Sequence, residues 1–154
     1  MNVSLRRATP DDAPLLWNLQ RTAFRATYER YRDDQTSPYT EPLEKTRART
    51  VQPDALYYVI EVDAEPVGAL YVRDKGDGSV KKLGPLYVLP EHWGQGIAQR
   101  AIRLVEDIHG GQGWLLDTIE QEPANCHLYE KMGYRRTGGR RVVNERMTLV
   151  DYRK

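Results

Sequence analysis

The run Leu86-Tyr87-Val88-Leu89-Pro90-Glu91-His92-Trp93-Gly94-Gln95-Gly96-Ile97-Ala98 constrains this chain more than any other. Leu86 to Leu89 reads as a buried strand, and Pro90 ends it because proline has no N–H to give a ladder. A helix follows at once, since Ile97, Ala98, Ala101, Ile102, Val105 and Ile108 recur at the 3.6-residue period. A strand that bends through Gly94 and Gly96 into a helix start is the physics of an anion cradle. The N–H groups of the first turn are unpaired, the helix dipole favours negative charge there, and glycine lets a phosphate approach the backbone. Glycines at such a bend also make ordinary turns; the strand before and the helix after favour the cradle.

The surrounding pattern predicts a mixed sheet. Val3–Arg7 reads as a strand, and Thr9, Pro10 and Asp12 read as cap, first residue and first turn of a helix. Leu15, Leu16, Leu19, Ala23 and Ala26 form its apolar stripe, and Phe24, Tyr28 and Tyr31 extend it if the helix runs that far. A second helix is expected over 41–51, then strands over 56–62, 67–73 and 80–89. Their connections, Asp63-Ala64-Glu65-Pro66 and Asp74-Lys75-Gly76-Asp77-Gly78, are hairpin-like, so these strands should be antiparallel. A helix over 96–109 stops at Gly110-Gly111, and Trp114–Ile119 follows as a buried strand, which implies one parallel crossover. Glu122 with Pro123 opens a last helix that Gly133 ends, and strands over 134–141 and 145–152 close the chain. The fold class is therefore α/β: a mostly antiparallel sheet of about seven strands with helices on both faces, in one domain over 1–154.

Pro85 interrupts a strand-like run and should sit at a bulge, eased by Gly84. A bulge there would splay this strand from its parallel neighbour, 114–119, and expose backbone groups of Leu86, Tyr87 and Val88. An extended ligand rich in amides pairs with such groups as a substitute strand. A pyrophosphate at the glycine loop with an amide arm in the gap describes coenzyme A.

Leu86-x-Val88-x-Pro90 followed by Gly94-x-Gly96-Ile97-Ala98 resembles motif A of the GNAT superfamily of acyl-CoA-dependent N-acyltransferases. Leu128-Tyr129-Glu130-Lys131-Met132-Gly133-Tyr134 resembles its motif B, and the likeness covers most of the chain from about residue 56 onward. The resemblance implies a GNAT-like sheet with a splayed parallel strand pair, acetyl-CoA as cofactor and transfer of an acetyl group to a primary amine. It implies that Leu86 and Val88 hold the pantetheine arm with Tyr87 between them, and that Trp93, Gly94, Gln95, Gly96, Ile97, Ala98 and Gln99 hold the pyrophosphate. Tyr129 matches the family tyrosine beside the thioester sulfur, often the general acid, and Asn125 and Lys131 are further cofactor contacts. Two positions depart from the pattern: Trp93 stands where relatives carry Arg or Gln, and Glu122 where many carry Asn. Glu122 is unhelpful near a polyphosphate unless it turns away to cap its helix.

The reaction also needs an amine freed of its proton, whose reference pKa is near ~10.4. Relatives often place an acid on the bulged strand, but this chain has Lys81, Lys82 and Gly84 there. Asp117 is the preferred substitute, Glu120 the runner-up, and a water chain the third choice. Phe24, Tyr28 and Tyr31, with nearby carboxylates, suit a cationic acceptor: a small amine, an amino acid or a peptide N-terminus. A non-catalytic acyl-CoA sensor on the same fold is the alternative reading, and an unrelated nucleotide-binding protein the third.

Composition excludes other classes. Lys plus Arg number 23 against 22 Asp plus Glu, so nucleic acid is not the expected partner. No apolar run spans a bilayer, the N-terminus lacks a signal-like stretch, and the one cysteine, Cys126, fits packing in a reducing, cytoplasmic setting. No His, Cys or Asp cluster has metal-ligand spacing, so no metal is expected. His92 and His109 flank helix ends and read as solvated, as does the basic run Arg135-Arg136 with Arg140-Arg141. A monomer and a homodimer both fit the sequence.

Overall fold

In a computed structural model, which describes residues 1–154, the chain alternates strands and helices around one sheet. The strands are β1 (Val3–Arg7), β2 (Ala55–Val62), β3 (Glu65–Arg73), β4 (Lys81–Val88), β5 (Trp114–Ile119), β6 (Arg135–Asn144) and β7 (Met147–Arg153). The helices are α1 (Ala13–Tyr31), α2 (Leu43–Thr50), α3 (Ile97–His109) and α4 (Pro123–Lys131). The seven strands lie in the order β1-β2-β3-β4-β5-β7-β6, and only β4–β5 is parallel.

Period-two alternation buries both faces of the central strands. Tyr57, Val59 and Tyr71 face α1, where Leu16, Leu19 and Ala23 pack on them. Tyr58, Ile60, Leu70 and Val72 face the other way, onto Ile97, Ala101, Ile102 and Val105 of α3. Burying each such Ile, Leu or Val is worth about 1.5–3 kcal/mol, so the α3 stripe fixes where that helix begins. Gly68 serves the close approach of β3 to β4, because a Cβ there would stand 2.1 Å from the Tyr87 carbonyl oxygen.

The sheet opens where Pro85 predicts. Leu70 pairs with Leu86 but Val72 with Leu83, so Gly84 and Pro85 bulge opposite Tyr71. β4 and β5 pair only at Lys81–Trp114 and Lys82–Leu115 and then part.

Two local expectations are corrected, and the basic run is exposed as expected. The helix expected at Pro10 begins at Ala13, after a single 3₁₀ turn over Pro10–Asp12. Starting at Ala13 puts Pro14 in the first turn, where its missing N–H removes no helical bond. His109 is not solvated: its Nδ1 lies 2.7 Å from an Asp74 carboxylate oxygen and its Nε2 2.9 Å from the Tyr58 hydroxyl. The basic run over 135–141 lies along the edge strand β6, where Arg136 and Arg140 donate to Glu120 at 3.1 and 2.8 Å. No helix is long and apolar enough to cross a membrane.

Candidate active site

Gly94 and Gly96 both sit at φ +77°, a left-handed conformation that side chains disfavour, although open space surrounds each. This double turn lifts the chain from β4 into α3. The consequence is a row of six amides, 94–99, that donate to nothing in the protein; the first helical bond is Arg100 N–H to Gly96 O at 3.1 Å. The side chain of Ile97 is buried and anchors the turn, whereas Gln95 is exposed and Ala98 and Gln99 are half-buried. Trp93 departs from the role of side-chain donor at this loop. Trp93 is 58% exposed, but its Nε1–H donates to the Val88 carbonyl at 2.7 Å.

That carbonyl belongs to the splay. Leu89 N–H bonds to Val67 O at 2.8 Å, which marks a hydrogen-bonded pair, and antiparallel pairs alternate. Ala69–Tyr87 is then the next bonded pair, while Leu86 and Val88 turn their N–H and C=O away from β3 into the gap. Tyr87 is thus corrected as a gap-lining residue: its backbone faces β3, and its buried hydroxyl donates to Leu16 O at 3.2 Å.

Tyr129 comes from α4, which packs beneath β5. The residue is 9% exposed, and its ring lies edge-on to Tyr134 at 6.0 Å and tilted to Tyr152 at 6.3 Å. Its hydroxyl enters none of the side-chain hydrogen bonds. Burial pushes its pKa well above the ordinary tyrosine range, and the charge of Asp117 adds to the rise. Asn125 and Lys131 on the same helix are exposed.

Asp117 projects from the opposite face of β5 from Leu116, as alternation requires. It lines a cavity of about 430 Å³ with Lys82, Leu115, Thr137, Arg141 and Asp151. Lys82 Nζ stands 3.7 Å and an Arg141 nitrogen 3.8 Å from its Oδ2. Asp151 is its direct cross-strand partner. Lys82, Arg141 and Asp151 escape sequence reasoning because only the strand register brings them beside Asp117. Glu120, the other acid considered, is committed to Arg136 and Arg140, and the Arg140 hydrogen bond leads in holding its pKa below the ordinary value.

The three aromatic residues of α1 do not form one wall. Phe24 packs edge-on against Tyr87 at 5.4 Å, and Tyr28 stacks on Tyr39 at 5.2 Å while its hydroxyl donates to Asp34. Tyr31 is buried against Met147 and Leu149, and its hydroxyl donates to Glu122 at 3.1 Å. Glu122 turns away from the cradle, but it does not cap α4; Arg30 donates to it at 2.9 Å. No three His, Cys, Asp or Glu side chains gather as a metal site.

The profile of the Acetyltransferase (GNAT) family matches residues 14–134. The chain belongs to this family. Membership makes it an acyl-CoA-dependent acetyltransferase with acetyl-CoA as acetyl donor. No curated protein matches the sequence significantly. Solved structures share the GNAT fold. The PaiA N-acetyltransferase from Thermoplasma acidophilum, in complex with coenzyme A, is 18% identical with a TM-score of 0.75, and each chain covers 100% of the other. AAC(6')-Ib, in complex with ribostamycin and coenzyme A, is 18% identical with a TM-score of 0.73, over 99% of this chain and 92% of that one. RimL, the ribosomal L7/L12 α-N-protein acetyltransferase, in complex with coenzyme A, is 16% identical with a TM-score of 0.75, over 100% and 94%. This GNAT chain thus shares its fold with enzymes of small-molecule and of peptide amines.

Proposed function

We propose that this acetyltransferase moves the acetyl group of acetyl-CoA directly to a primary amine within a ternary complex. One observation carries the reading: six free amides at 94–99 beside a β4–β5 pair that parts after two registers. The amides at 94–99 take the diphosphate, with Gln95, Gln99, Asn125 and Lys131 as added side-chain donors. Leu86 and Val88 offer the gap-facing groups against which the pantetheine arm lies as a strand.

Acetyl-CoA supplies an activated acyl carbon on a thiol leaving group. Tyr129 keeps its proton through neutral pH and gives it to sulfur as the C–S bond breaks. The same burial raises the proton affinity of a thiolate generated beside it. Asp117, on the open face, receives the proton that the amine sheds as the C–N bond forms. Phe24 and Tyr28 offer aromatic faces to the incoming cation, whereas Tyr31 is a core residue tied to Glu122. AAC(6')-Ib, an aminoglycoside acetyltransferase, and RimL, which acts on a protein N-terminus, support an acceptor among small-molecule and peptide amines.

The test is thiol release from acetyl-CoA across a panel of amines, scored also by the mass of the acceptor. Release with at least one amine is expected. Tight acetyl-CoA binding without release from any acceptor would turn the reading to a sensor, and no binding at all would end it.

A further inference from the structure

We infer that the acceptor is a peptide N-terminus followed by acidic residues, and that it docks along a row of cations on the open sheet face; this rests on the transferase reading above. The row is written in the strand register. Arg73 pairs with Lys82, Lys82 with Leu115, Leu115 with Arg153, and Arg153 with Arg135. Directly paired residues share a sheet face, so five neighbouring strands place four cations and one leucine side by side.

Arg73, Arg135 and Arg153 are exposed and Leu115 is 39% exposed. None of the three arginines has a carboxylate within 4.0 Å, and Lys82 reaches Asp117 only at 3.7 Å. Cations set directly opposite one another, as Arg135 and Arg153 are, repel. The chain as a whole carries a net charge of only +1, so general basicity does not account for the row.

Its position ties it to the reaction. Asp117 and Asp151 pair one pleat repeat above Leu115 and Arg153, on the same face, and Lys82, Leu115, Asp117 and Asp151 line one cavity. A pleat repeat is about 6.6 Å, two extended residues. An amine seated at Asp117 therefore puts its third residue at the row. The row crosses four strand spacings, about 19 Å, which a small amine does not span and about six extended residues do. Carboxylates at positions three to six span about 10 Å, the half of the row that runs from Leu115 through Arg153 to Arg135, and complement it by charge.

The experiment uses octapeptides with identical first two residues and a dye at the C-terminus, carrying acidic, amide or basic side chains at positions three to six. Thiol release gives kcat/KM, and fluorescence anisotropy gives docking without catalysis. The acidic peptide should exceed the amide peptide at least tenfold in both. That advantage should fall below twofold at high salt and in the Arg135→Gln, Arg153→Gln double variant, whose kcat/KM for the amide peptide stays unchanged. Equal values for acidic and amide peptides would overturn the inference. So would a small anionic amine that matches the acidic peptide, or a single-stranded oligonucleotide that outcompetes it. Failure of the transferase reading is distinct: no amine then releases thiol, whatever the anisotropy reports.

Discussion

Replacing Tyr129 by Phe separates chemistry from stability at one atom. The ring packs between Tyr134 and Tyr152, and its backbone carbonyl accepts from Tyr134 N–H at 2.9 Å; phenylalanine keeps both features. What is lost is a hydroxyl that makes no hydrogen bond within the protein and is not among its fully buried unpaired atoms. Removing a hydroxyl that pairs with nothing in the protein and still reaches solvent breaks no internal hydrogen bond, so the stability change should stay within about 1 kcal/mol. For a chain of 154 residues that is about 2–4 °C in Tm. Turnover should respond very differently. A positioned proton donor is worth 10²–10⁴-fold, which is about 2.7–5.4 kcal/mol at 1.36 kcal/mol per decade. The assay pairs differential scanning calorimetry with thiol release at saturating acetyl-CoA, and titration calorimetry checks that acetyl-CoA affinity is retained. A kcat within threefold of the parent would remove Tyr129 from the mechanism. A fall in Tm beyond 10 °C would refute the structural premise that its hydroxyl stands unpartnered.

Two further outcomes follow from particular contacts. Trp93→Phe frees the Val88 carbonyl from the indole N–H, and one neutral hydrogen bond of about 0.5–1.5 kcal/mol should reappear as a two- to twelvefold gain in acetyl-CoA affinity by titration calorimetry. A weaker affinity would mean that the indole itself contacts the cofactor. For the His109 link, burial opposes the charge on Asp74, but hydrogen bonds from Gly76 N–H and His109 outweigh it and lower its pKa below the ordinary 3.8. A carboxylate lowered on folding stabilises above its unfolded pKa and ceases to do so as pH falls through the folded one. Urea denaturation of the parent and Asp74→Asn should therefore differ at pH 7 and draw together near pH 3; a constant difference would contradict the linkage.

Much of the fold is legible in the residues themselves, and the reason is local. Hydrophobic periodicity places α3 and β5, Pro85 and Gly84 mark the bulge, and Gly94 with Gly96 marks the bend, because each acts within a few bonds of its own backbone. Helix starts were less legible: Thr9-Pro10 carries a sound cap signal, yet Pro14 outweighs it. His109 read as solvated because nothing near it in sequence reveals Asp74 or Tyr58. The three aromatic residues of α1 share a helix, but their partners come from four other segments.

The sequence by itself determined a strand–glycine–helix cradle and a proline-opened edge, since backbone conformation follows from side chains within a turn or two. Only the tertiary structure decided that Leu86 and Val88, not Tyr87, face the gap, and that Asp117 stands beside Asp151, Lys82 and Arg141. Those facts are matters of strand register. Register is set by how distant segments bury their apolar faces together, and a shift of one residue would turn every side chain to the other side.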